Sequence, residues 1–259
     1  MSEDLPREFQ KKFYLATAIF LVIFASFGFF DPPDEWFVPV GLFQLFPVPQ
    51  PSFPWMAAIY FLTMAFTLVS AFTPYRLARV LTFIFYYYIF GIRYCYGFLS
   101  HIDAALTVAL LVMAVASQKS DWQIRFIAFY WTLLLSLAGL HKLTVDGWGW
   151  ASSDPIAQVV WRARLHANPQ HLQPAPMLVS FMIESGLSKS LSWHVLLLEL
   201  FAPLIFLSRT VHKLIFPQLL LILLAFQIVI DRHFIFSMAP LYLAAAYYRK
   251  RSFWDGSVE

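Results

Sequence analysis

Apolar positions along this chain come as continuous runs separated by short polar stretches, without the strict alternation of a half-buried strand. Crossing a hydrocarbon core of about 30 Å takes roughly 20 helical residues. The runs predict eight spans: Phe13 to Phe30, Trp55 to Phe72, Val80 to Tyr96, His101 to Ser117, Ile124 to His141, His194 to Ser208, Leu214 to Ile230 and Phe234 to Tyr248. A closed β-barrel would need short alternating segments instead. The expected fold is therefore all-α, a polytopic integral membrane helical bundle of about eight transmembrane helices in a single domain. The aromatic stripe "YYYIF" in the third span reads as packing.

Between the fifth and sixth spans, residues Leu143 to Trp193 alternate apolar stretches with Arg162, Arg164, His166, His171 and several prolines. This segment is expected to be an outer interfacial or re-entrant cap, with Trp148, Trp150 and Trp161 at headgroup depth. Arg162 and Arg164 would meet lipid phosphate or, in the functional reading, bind substrate.

Composition agrees with a membrane solvent. Hydrophobic residues make up 60% of the 259 and charged residues 13%, too few charges to coat a soluble globule of this size. With a cytoplasmic N-terminus, 12 of the 18 basic residues fall on the inner side, among them those of "TPYRLAR", "QKSDWQIR", "SRTVHK" and "YYRKRS". The outer "DPPDEWFVPVGLFQLFPVPQPSFP" has no basic residue, so the positive-inside rule places both termini in the cytoplasm. "MSEDLPREFQKK" reads as a retained start and not as a signal peptide. The single Cys95 excludes an intrachain disulfide, and the net charge of +3 gives no support for nucleic-acid binding. His166 and His171 are five residues apart, off one helical face and without a carboxylate partner, so no metal is expected.

The candidate chemistry gathers at the predicted outer face. "SLAGLHKLTVDGWGWAS" carries Lys142 at the end of the fifth span. A lysine there is either a snorkelling anchor or, packed inward and desolvated, a base. Ala138 and Gly139 are small enough to admit a neighbouring helix. His101 and Asp103 open the fourth span, and Arg93 lies near the outer end of the third. Glu199, within "HVLLLELFAPL", is a costly intramembrane carboxylate unless paired or protonated; its candidate partners are Arg93 and Lys142. His194 stands about 140° away around the same helix and is no obvious partner.

The stretch "FYWTLLLSLAGLHKLTVDGWGW" resembles the signature of the HTTM (horizontally transferred transmembrane domain) family, the membrane domain shared with vitamin K-dependent γ-glutamyl carboxylase. The matching positions are Ala138, Gly139, Lys142, Leu143, Asp146 and Trp148, the tryptophan being slightly displaced. "FLSHIDAALTVALLVMAVAS" resembles the family's histidine-bearing turn, at His101, and "LSWHVLLLELFAPLIFLSR" its acidic helix, at Glu199, Ala202 and Pro203.

The resemblance implies a quinol- and oxygen-dependent, carboxylase- or oxidoreductase-like enzyme. In it Lys142 would be the base that deprotonates a hydroquinone and His101 its partner; beside the resemblance, Arg93, Glu199, Arg162 and Arg164 are the candidate substrate-binding residues. A quinone is then the implied cofactor. The carboxylase, however, has a large lumenal portion after its membrane domain, and a further histidine where this sequence reads Gln227. Carboxylation of a protein glutamate is accordingly not expected. The alternative is a non-catalytic accessory subunit, or a lipid- or quinone-binding scaffold, within a larger membrane complex. Membrane lipid is a partner in both readings.

Overall fold

The structure is a computed structural model that describes residues 4–25, 53–95, 101–117, 122–158, 176–230 and 234–250. Its helices are α1 (Asp4–Ala25), α2 (Phe53–Phe72), α3 (Arg76–Cys95), α4 (His101–Val115), α5 (Trp122–Asp146), the single turn α6 (Gly149–Ser152), α7 (Pro176–Glu184), α8 (Leu187–Leu200), α9 (Arg209–Ile230) and α10 (Phe234–Lys250). A 3-10 helix at Ala202–Phe206 follows α8. Among the described residues there is no strand, and the fold is all-α. Among the described residues two helices, α2 and α5, are long and apolar enough to cross a membrane. The chain divides into two compact units, Met1–Ala128 with Phe236–Lys250 and Phe129–Ile235 with Arg251–Glu259.

In the first unit, α1 buries Phe9, Phe13, Thr17 and Leu21, spaced by four residues, and leaves Ile19 and Val22 exposed on the opposite side. Where α1 meets the end of α2, Gln10 donates from Nε2 to the carbonyls of Ser70 at 2.9 Å and Thr73 at 3.3 Å. The Ser70 carbonyl lies in the last turn of α2 and that of Thr73 just past it, where intrahelical donors run out. The buried face of α2 carries hydroxyls: Thr63, Thr67 and Ser70 are fully buried, while Phe61 is 70% exposed and Phe72 64%. Thr63 and Thr67 each donate to the carbonyl four residues back, which satisfies their hydroxyls within the helix.

Arg79 does for α4 what Gln10 does for α2. It is buried, and its Nη1 donates to the carbonyls of Met113 at 2.8 Å and Ala116 at 2.9 Å. A guanidinium is favoured at a helix C-terminus because it meets both unsatisfied carbonyls and the negative end of the dipole. Counted as a charge of the inner turn, Arg79 is thus a buried cap. The "YYYIF" stripe packs as expected, with Tyr86, Ile89 and Phe90 buried and Phe90 stacked on Phe20 of α1.

In the second unit, α5 continues beyond the predicted end at His141 to Asp146 and stops at Gly147, whose φ of +59° suits glycine past a helix end. The predicted sixth span is corrected. Instead of one helix over His194 to Ser208, α8 begins earlier, at Leu187, and ends at Leu200, after which the backbone tightens into the 3-10 helix. Pro203 is the reason: it has no N–H to give, and its ring would collide with the carbonyl of Glu199 if the α-helix continued. The start of α8 is tied to the preceding helical turn at 155–158 by Ser188, whose Oγ accepts the Ala157 N–H at 3.2 Å.

Candidate functional site

α5 and α8 touch at a glycine. A Cβ on Gly139 would lie 3.0 Å from the backbone nitrogen of Leu200 and 3.1 Å from Cβ of Glu199. Three residues earlier on α5, Ser136 donates to the Leu200 carbonyl at 3.1 Å, one of the carbonyls freed at the end of α8. Three residues later on the same face comes Lys142. Its Nζ donates to Oε2 of Glu199, and the two form an ion pair. Both side chains are largely shielded, at 23% exposure for Lys142 and 13% for Glu199.

Gly139 and Ser136 therefore carry the close helix approach, whereas Ala138 points outward and is exposed. The expectation that both small residues serve the contact is corrected in this respect. Ala138 directly precedes Gly139 and stands about 100° away around the helix, so the two do not face the same partner.

Tryptophans lie beside the pair. Gly147 turns the chain so that α6 places the Trp150 ring over Lys142, with Nζ 4.8 Å from the ring centroid. At that distance the ring's quadrupole attracts the ammonium. Trp148 stacks on Trp193 of α8, centroids 5.7 Å apart and planes at 19°. Nothing in the sequence marks which tryptophan meets the lysine. The signal is the spacing of Trp150 after a glycine-terminated helix, which becomes informative only once the chain reverses at Gly147.

Of the sequence-predicted site residues, the structure brings together Lys142 and Glu199. His194 is exposed, in keeping with its place on another face of α8. His101 begins α4 in the first unit and Arg93 lies in the last turn of α3, but both side chains lie outside the described residues. So does the expected approach of Lys142 to His101. Arg162 and Arg164, with Trp161, His166 and His171, are likewise outside them. Among the described residues, no three His, Cys, Asp or Glu side chains come together in a way that could hold a metal ion.

What these groups define is a charge-neutral pair of a base and an acid, set between two close-packed helices and covered by an aromatic ring. Compared with known proteins, the chain matches no family model, no curated protein and no solved structure.

Proposed function

We propose that this chain is a polytopic membrane protein with eight spans and both termini cytoplasmic, using Lys142 as a base toward a lipid-soluble quinol whose reaction with oxygen follows. The observation that carries the reading is the Lys142–Glu199 pair beneath Trp150: a lysine that merely snorkels would hold its ammonium in the headgroups. The resemblance of "AGLHKL" to the HTTM motif supplies the quinol and the oxygen chemistry, with His101 as the second polar group.

Two further observations support the membrane setting. α5 has 25 residues, about 37 Å at 1.5 Å each, so Trp122 and Lys142 stand about 30 Å apart, the thickness of a hydrocarbon core. Trp122 at one end and Trp148 and Trp150 at the other then sit at the two interfaces, where tryptophan concentrates. In α2 the hydroxyls point inward and phenyl rings outward, an arrangement that costs apolar exposure in water and nothing in lipid.

A second reading is favoured by one observation. An ion pair joining α5 to α8 is also what a scaffold would use to fix two helices. The decisive experiment is quinol-dependent oxygen uptake by purified protein carrying Lys142→Arg. A guanidinium keeps the charge but does not give up its proton in this range. Loss of uptake with retained folding supports the base; full uptake leaves the scaffold. The exchanged pair, Lys142→Glu with Glu199→Lys, should restore a scaffold's fold and function but not the activity of a positioned base.

A further inference from the structure

Resting on the reading of Lys142 as a base, a chemical difficulty points to the role of its partner. An ammonium has three N–H bonds and no lone pair, so Lys142 in its ion pair cannot accept a proton as it stands. We propose that Glu199 is the proton store of this site and that Lys142 only relays to it the proton of a neutral O–H acid.

The steps balance. The N–H proton of Lys142 moves along the existing hydrogen bond to Oε2 of Glu199, which leaves a neutral amine beside a neutral carboxylic acid. The substrate O–H bond then breaks toward the amine: the proton goes to the nitrogen lone pair, and the bonding electrons stay on the substrate oxygen. The end state is a lysine ammonium, a protonated Glu199 and a substrate oxyanion. Total charge is zero at the start and at the end, so no net charge is created where charges are poorly solvated. An anionic substrate would leave the site with an uncompensated negative charge, which is why a neutral one fits.

Geometry supports each part. Gly139 allows α8 close enough for the Glu199 carboxylate to take the lysine proton directly. Trp150 lies over the ammonium, the form in which Lys142 must finish, and the ammonium is then the counter-ion of the oxyanion. The other titratable groups on α5 and α8 near this end, His141, Asp146, Lys189 and His194, are exposed. On these elements the carboxylate bonded to Lys142 is that of Glu199.

The experiment uses the full chain in nanodiscs of uncharged lipid, with p-nitrophenol as the probe. Absorbance reports how much bound phenol is ionised, and a pH indicator in weakly buffered medium reports protons released. Wild type should bind the phenol as its anion with no proton released, and an infrared difference spectrum should gain the C=O band of a protonated carboxyl. Glu199→Gln should release about one proton per phenolate and lack that band. Lys142→Met should bind the phenol in its neutral form. Proton release by wild type in step with phenolate formation overturns the proposal, as does failure to bind or to ionise the phenol; both are read on wild type alone, so a misfolded variant does not protect it. Phenol ionisation without quinol-dependent oxygen uptake would instead defeat the quinol oxygenase reading and leave the proton store standing.

Discussion

Gly139 packs so closely on the backbone of Leu200 that a Cβ would lie 3.0 Å from its nitrogen, and this contact brings Lys142 within reach of Glu199. Alanine there would gain about 1 kcal/mol of helix propensity. It would also force an overpacked contact costing about 1–3 kcal/mol, against a backbone atom that cannot swing away. Gly139→Ala is expected to be neutral to mildly destabilising and Gly139→Val strongly so, in thermal unfolding of detergent-solubilised protein. A valine variant as stable as wild type would mean the helices do not touch there.

The ion pair should show a characteristic asymmetry. Lys142→Met leaves the Glu199 carboxylate without its cation in a shielded place, for which a loss of about 2–4 kcal/mol is expected. The double variant Lys142→Met with Glu199→Leu removes both charges and should recover most of that loss. Chemical or thermal unfolding of the three proteins closes the cycle. Additive losses in the double variant would show that the two side chains do not interact.

Arg79 makes a parallel case in the first unit. Arg79→Met removes two charge-assisted hydrogen bonds to the end of α4 and should destabilise by about 3 kcal/mol. Arg79→Lys keeps the charge but lacks the planar fork, so it should recover only part. Equal stability of wild type and the methionine variant would show that the α4 carbonyls find other donors.

Tyr14 carries a fully buried hydroxyl without a hydrogen-bond partner among the described residues. An unmade hydrogen bond of this kind costs about 1–3 kcal/mol, so Tyr14→Phe should raise the unfolding temperature. A fall would reveal a partner for the hydroxyl and a role for it in the α1 interior.

Topology can be read by labelling. Cys95 is buried, so the wild-type protein should not react with an impermeant thiol reagent. In a Cys95→Ser background, Ser153→Cys should react from outside intact cells and Ser257→Cys should not. The opposite result inverts the orientation.

The sequence by itself determined where helices form. Apolar runs that do not alternate favour helices, and a helix overlaps each of the eight predicted runs, although the sixth starts earlier and ends at Leu200. It also singled out Lys142 and Glu199, because charged groups inside apolar runs are conspicuous wherever they fall. What it could not determine was pairing. Residues 142 and 199 lie far apart along the chain, and it is the packing of Gly139 on Leu200 that brings Lys142 within a hydrogen bond of Glu199. Helix ends escaped for a related reason: whether α5 stops at His141 or Asp146 changes no apolar run, and the break after Leu200 depends on one proline ring meeting one carbonyl. The burial of Arg79 was hidden in the same way, since a basic residue in a turn reads as a surface charge until a neighbouring helix presents its last carbonyls to it.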